Sequence, residues 1–126
     1  MKEFARSEWQ RAQRTIKTAA ALTGSDPESA TSRAYYAAFH ALTALFALRG
    51  QSFNKHAALR SALHKDLINS GEWPIELGKD YDFLTNLREM SDYGDVARVS
   101  EQDAGRAVEA ARRIIAASHE KLSSLD

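Results

Sequence analysis

The stretch SRAYYAAFHALTALFALRG, from Ser32 to Gly50, decides how the rest of the chain is read. At about 100° per residue, Tyr35, Phe39, Leu42, Leu45 and Phe46 fall on one broad apolar face, and Arg33, Tyr36, His40 and Thr43 line up beside it among Ala37, Ala44 and Ala47. A helix that is apolar nearly all round belongs in the middle of a bundle, and its alanines let neighbouring backbones come close. This helix therefore carries both core and chemistry-bearing side chains, and the flanking segments are expected to pack around it.

Towards the N-terminus, Trp9, Ala12, Ile16, Ala19 and Ala20 recur at helical spacing, which predicts a first helix from Glu3 or Ser7 to Thr23, ended by Gly24. Arg6, Arg11, Arg14 and Lys17 occupy its other faces, either as solvated side chains or as a nucleic-acid stripe. Asp26 then caps the central helix and Pro27 takes its first position, where a missing N–H costs nothing. Beyond Gly50, a third helix is predicted after Phe53-Asn54, with His56, Leu59, Leu63 and Leu67 on one face and Asn69-Ser70-Gly71 as its exit. Glu72-Trp73-Pro74 breaks the chain before a fourth helix, roughly Glu76 to Asp92, whose expected core stripe is Phe83, Leu84, Leu87 and Met90, with Tyr81, Arg88 and Asp92 on the flank. Gly94 is expected to end it. A loop from Asp95 to Val99 leads to Ser100-Glu101-Gln102-Asp103, a capping signature, and a last helix presents Ala104, Ala107, Val108, Ala111, Ile114, Ile115 and Leu122 in near-heptad spacing. No strand pattern competes. The prediction is an all-α, antiparallel up-and-down bundle of four to five helices, one domain over residues 1–126.

With 126 residues, 44% hydrophobic and 27% charged, the composition is that of an ordinary globular domain. A chain of this size buries about two thirds of its unfolded surface, enough for a core without staples. The absence of cysteine excludes disulfides and thiolate metal sites and favours a reducing compartment. No run approaches the roughly 20 apolar residues of a membrane span, and MKEFARSEWQR is too charged for a signal peptide. The expectation is a soluble cytoplasmic protein with no membrane partner. The net charge is zero, yet its sign is unevenly distributed: Arg33 to Lys65 holds five Lys or Arg residues and no acid, whereas Asp66 to Asp103 holds ten acids against Lys79, Arg88 and Arg98. Either the two blocks neutralise each other across helix contacts, or one edge is a phosphate-facing surface opposite an acidic one.

Sharp enzyme motifs are missing: the chain has no phosphate loop, no HExxH and no nucleophile elbow. His56 and His64 are eight apart, about two helical turns, too far to share one ion on a single helix, so no metal or other cofactor is expected. Two polar clusters remain. Arg33, Tyr36 and His40 stand at i, i+3 and i+7 on the central helix; in LREMSDY, Arg88 and Asp92 are one turn apart and Tyr93 follows at the helix end. Each reads either as a structural set, in which buried Arg and Tyr find partners, or as a site. An Arg88 held by Asp92 or another carboxylate, with its guanidinium close to Arg33 or His40, would make one composite cleft. His56, in the first turn of the third helix, either caps and packs or contacts a nucleotide.

Taken together, SRAYYAAFHALTAL, Asn54-Lys55-His56, Ser70-Gly71-Glu72-Trp73-Pro74 and LREMSDYGD resemble a prokaryotic HEPN-domain protein of the small stand-alone type, from about Thr31 to Asp103. The resemblance implies a four-to-five-helix bundle, usually dimeric, often encoded beside a minimal nucleotidyltransferase as a toxin–antitoxin or defence pair. Active members are metal-independent endoribonucleases that use an Arg followed a few residues later by a His, brought together with a second copy across the dimer. Arg88 stands at the Arg position here, whereas Tyr93 stands where the His is expected and no His follows; Arg33 and His40 have the family's spacing on the earlier helix. Cleavage next to a ribose needs a base for the 2′-OH, an acid for the leaving oxygen and a cation on the phosphate. His40 suits base or acid, with an ordinary pKa of about 6.5; Arg33 and Arg88 suit phosphate; Tyr36 or Tyr93 can donate a proton. The catalytic candidates are therefore Arg33, His40, Arg88 and Tyr93, and the ligand-binding candidates Tyr36, Lys55, His56 and Asp92. The expected function is an RNA-directed, endoribonuclease-like toxin component; the alternative is a non-catalytic dimeric module that binds a nucleotide or a partner nucleotidyltransferase.

Overall fold

In the computed structural model, residues 2–93 and 98–123 are described. They form α-helices and no strand: α1 (Lys2–Leu22), α2 (Pro27–Leu48), α3 (His56–Ala62), which continues as a π-helical stretch over Leu63–Ile68, α4 (Ile75–Asp92) and α5 (Glu101–Lys121). The fold is the antiparallel all-α bundle that the periodicity predicts. Among the described residues no helix is long and apolar enough to cross a membrane.

Small residues set the layout. Ala5, Ala12 and Ala19 recur every seventh residue along α1 with no exposed surface, so α1 lies backbone-close against α2 over the most extensive helix contact in the molecule. On α2, Ala30, Ala34, Ala37, Ala38, Ala41, Ala44 and Ala47 are buried on several sides at once, because α1, α4 and α5 all pack on it. Between the alanines, Tyr35, Leu42, Leu45 and Phe46 fill the core against Leu59, Leu63, Leu67, Leu84 and Ile114. Each such large side chain contributes about 1.5–3 kcal/mol of burial.

The ends of α2 follow their local chemistry. The Asp26 carboxylate accepts from the Ser29 N–H at 3.2 Å, and Pro27 opens the first turn. At the other end Gly50 adopts φ of 78°, a left-handed turn that suits glycine, and its N–H donates to the Ala47 carbonyl at 3.0 Å. The expected stop at Gly94 and the start of the following loop lie outside the described residues. Beyond them, Ser100 caps α5 by accepting from the Asp103 N–H at 3.0 Å.

One expectation is corrected on α4. Its buried line is Leu77, Tyr81, Leu84 and Leu87, whereas Met90 is 40% exposed and Phe83 is half-buried beneath Arg106. The sets Leu77/Tyr81/Leu84 and Phe83/Leu87/Met90 both have i, i+4, i+7 spacing, so periodicity does not separate them. The contacts of α4 with α2 and α5 do, and they bring Tyr81 to 5.7 Å from the Tyr35 ring.

Ion pairs tie the acidic second half to the basic first half. Arg49 forks onto Glu72; Arg60 Nε donates to Asp82 Oδ1 at 2.9 Å, and His64 Nε2 lies 3.0 Å from the same oxygen. This clamp fixes α3 and its π-helical continuation against α4. It depends on a close approach: a Cβ added at buried Gly78 would lie 2.9 Å from His64 Cε1. The two charge blocks thus neutralise each other in part across helix contacts, and Arg33, Lys55 and Lys65 remain exposed.

Candidate functional site

The polar end of α2 faces α3 and α4 through a cluster of rings. Tyr35 is buried, and its Oη lies 3.1 Å from His56 Nδ1. The His56 ring packs at 4.4 Å from Phe39, 5.8 Å from Tyr35 and 5.8 Å from Tyr36. From α4, the Arg88 guanidinium lies over the Tyr35 and Tyr36 rings, with Cζ 4.9 and 5.4 Å from their centroids. Such a cation–π contact is worth about 0.5–2 kcal/mol, more as water is excluded. Arg88 Nε stands 3.8 Å from Asp92 Oδ2, an ion pair too long for a hydrogen bond. The cation is therefore oriented by aromatic faces more than by its carboxylate.

A cavity of about 470 Å³ opens here, lined by Tyr35, His56, Arg60, Thr85, Arg88 and Glu89 among others. Burial, and then the Arg88 charge, hold the His56 imidazole below its ordinary pKa. Burial pushes the Tyr35 phenol up, so it stays protonated. At neutral pH the cavity thus presents a neutral imidazole, a phenol and a guanidinium side by side, an arrangement suited to holding a phosphate and moving a proton.

Tyr36 also borders a second cavity, of about 410 Å³, lined by Glu28, Ser29, Ser32, Arg33, Tyr36 and Ser91. Tyr36 is thus the neighbour that the Arg33 and Arg88 clusters share. His40 turns elsewhere: its Nδ1 lies 3.4 Å from Glu8 Oε1 of α1, although its ring remains 6.4 Å from that of Tyr36. Burial lowers the His40 pKa; Glu8 opposes this, and Arg11 and His56 add to it. The Arg88 guanidinium rests on Tyr35 and Tyr36, and Tyr36 stands between it and the cavity that Arg33 lines. Tyr93 is 69% exposed at the end of α4, Asp92 is exposed beside it, and exposed Lys55 precedes α3. No group of three His, Asp or Glu side chains able to hold a metal ion occurs among the described residues.

Sequence reasoning placed Tyr35 in the core alone and passed over Arg60 and Thr85. Two signals pointed to them. A tyrosine on a core face needs a partner for its hydroxyl, and His56 with Arg60, like Thr85 with Arg88 and Glu89, share one helical face at i, i+3 or i+4. A further cavity of about 400 Å³ between α1 and α5, lined by residues such as Gln13, Arg14, Ile16 and Ile115, contains no acid–base pair in its lining.

The comparisons with known proteins agree with this architecture. A family model for the HEPN domain matches residues 5–122. A UPF0332 protein from Thermotoga maritima is 35% identical over 75 residues, which cover 60% of this chain and 57% of the length of that relative. The crystal structure of TT1696 from Thermus thermophilus superimposes with a TM-score of 0.79 at 25% identity, covering 93% of this chain and 97% of that one.

Proposed function

The chain belongs to the HEPN domain family, and from that premise we propose that it acts on RNA as a metal-independent endoribonuclease, the toxin component of a toxin–antitoxin or defence pair. The observation that carries this reading is Arg88, stacked on Tyr35 and Tyr36 at a cavity that also holds His56. A guanidinium held by aromatic faces keeps donors for phosphate oxygens, and an adjacent stacked ring accommodates a base. The cavity, about 470 Å³, falls within the roughly 300–1,000 Å³ of small-ligand sites. Exposed Arg33, which shares the neighbouring cavity with Tyr36, and exposed Lys55, which precedes His56 in the chain, would add phosphate contacts; Asp92 pairs loosely with Arg88, and Tyr93 follows at the end of α4. The working unit is a homodimer, countered by a partner nucleotidyltransferase; the exposed apolar side chains Phe4, Ile75 and Met90 are available to such partners.

One observation favours a second reading, a binding module without turnover: His40, the imidazole at the family's spacing from Arg33, pairs with Glu8. Incubation of the purified protein with single-stranded and structured RNA in EDTA separates the two. Cleavage that Arg88→Ala abolishes supports the enzyme. Binding of the same RNA, weakened by salt and by Arg88→Ala but without cleavage, supports the module. A protein that shows no binding and no cleavage of RNA would sink the RNA assignment.

A further inference from the structure

We propose that His56, not His40, is the imidazole that acts with Arg88, and that Tyr35 is its positioning residue. The inference rests on the RNA-cleaving reading above and concerns which side chain moves the proton. Three facts single out His56. It lines the same cavity as Arg88, whereas His40 is engaged by Glu8 on α1. Its Nδ1 is occupied by the Tyr35 hydroxyl at 3.1 Å, which fixes the ring and leaves Nε2 for a ligand. Its other face is packed at 4.4 Å on Phe39, so the ring has little freedom to turn away.

The step balances without a metal. The step requires the tautomer in which His56 Nδ1–H donates to the Tyr35 oxygen and Nε2 is bare; with the phosphodiester on Arg88, Nε2 takes the proton of the 2′-OH, the 2′-oxygen bonds to phosphorus and the bond from phosphorus to the 5′-oxygen breaks. The 5′-oxygen takes a proton from solvent, and His56 returns its own to solvent before the next turnover. The products are a 2′,3′-cyclic phosphate and a 5′-hydroxyl. A base must be neutral to act, and burial, with the Arg88 charge beside it, favours the neutral form of His56. The titratable and charged groups facing His56 are Tyr35, Tyr36 and His40 of α2, Arg60 of its own helix, and Arg88 and Glu89 of α4.

The test compares RNA cleavage in EDTA by the full chain and by His56→Gln, His40→Gln and Tyr35→Phe, each checked for folding by circular dichroism. His56→Gln should lower the rate by about 10²–10⁴-fold. Tyr35→Phe should keep part of the activity and move the midpoint of the pH–rate profile, a change that a packing role would not produce. Independently of turnover, imidazole NMR titration with a 2′-O-methyl oligonucleotide should raise the pKa of His56 more than that of His40, because a phosphate arrives beside it. Cleavage that falls with His40→Gln but persists with His56→Gln would overturn this inference and leave the RNA reading standing. A wild-type protein that neither cleaves RNA nor shifts on adding the oligonucleotide would overturn both.

Discussion

Replacing Gly78 by alanine tests whether the clamp that holds α3 against α4 is as tight as its distances imply. On backbone grounds alone the change should help, since glycine within a helix costs about 0.5–1 kcal/mol relative to alanine. Against this, the new Cβ would meet His64 Cε1 at 2.9 Å, His64 Nδ1 at 3.3 Å and Ile68 Cγ1 at 3.2 Å. The His64 ring cannot simply retreat, because its Nε2 is 3.0 Å from Asp82 Oδ1 and that oxygen also receives Arg60 at 2.9 Å. Forcing a methyl into a packed contact costs about 1–3 kcal/mol. Loosening the His64–Asp82 contact, with both side chains about a third exposed, adds at most about 1 kcal/mol. The balance is a net loss of about 1–2 kcal/mol, a fall in melting temperature of roughly 3–10 °C for a chain of this size. Urea and thermal unfolding of wild type, Gly78→Ala, His64→Ala and the double variant measure it. Without the His64 ring, of the three closest approaches the one to Ile68 Cγ1 persists, so Gly78→Ala should become neutral or stabilising by up to about 1 kcal/mol. A Gly78→Ala protein more stable than wild type, or equally destabilised with and without the ring, would refute the reasoning.

Acidification should weaken the fold early. Burial holds His40 and His56 below the ordinary value of 6.5, so between there and their folded pKa values the unfolded chain binds more protons; their contribution is complete above about pH 6.5 and is lost as the pH falls through the folded values. Urea midpoints taken from pH 7.5 to 5 should therefore decline in wild type and flatten in a His40→Gln/His56→Gln double variant; an unchanged slope would count against the buried, neutral assignment. Ser100→Ala removes the acceptor of the Asp103 N–H at the start of α5 and should cost about 1 kcal/mol, read by urea unfolding; a change near zero would mean that water replaces the cap. Phe46→Ala empties a fully buried site in the last turn of α2 and should cost about 3–5 kcal/mol, with loss below about 1 kcal/mol indicating that the core is not close-packed there.

The elements themselves were legible because their causes are local. Asp26-Pro27, Gly50 and Ser100 delimit helices through contacts within four residues, and the alanine-rich, doubly apolar composition of α2 requires neighbours on several sides wherever they come from. Sequence therefore determined the helices, their order, the central place of α2 and the family. It also supplied the parts of the candidate site, including Arg88, Tyr36 and His56. Which parts meet was decided only by how the helices cross. His40 and Glu8 are 32 positions apart, His64 and Asp82 18, and Tyr35 and His56 21; no periodicity within one helix fixes such pairs, because a small rotation of a neighbour exchanges one partner for another. The same holds for the rotation of α4, where burying Tyr81 and exposing Met90 aims Arg88 at Tyr35 and Tyr36. Side-chain chemistry is written residue by residue, whereas a site requires the relative position of three helices, which the packing of the whole core sets.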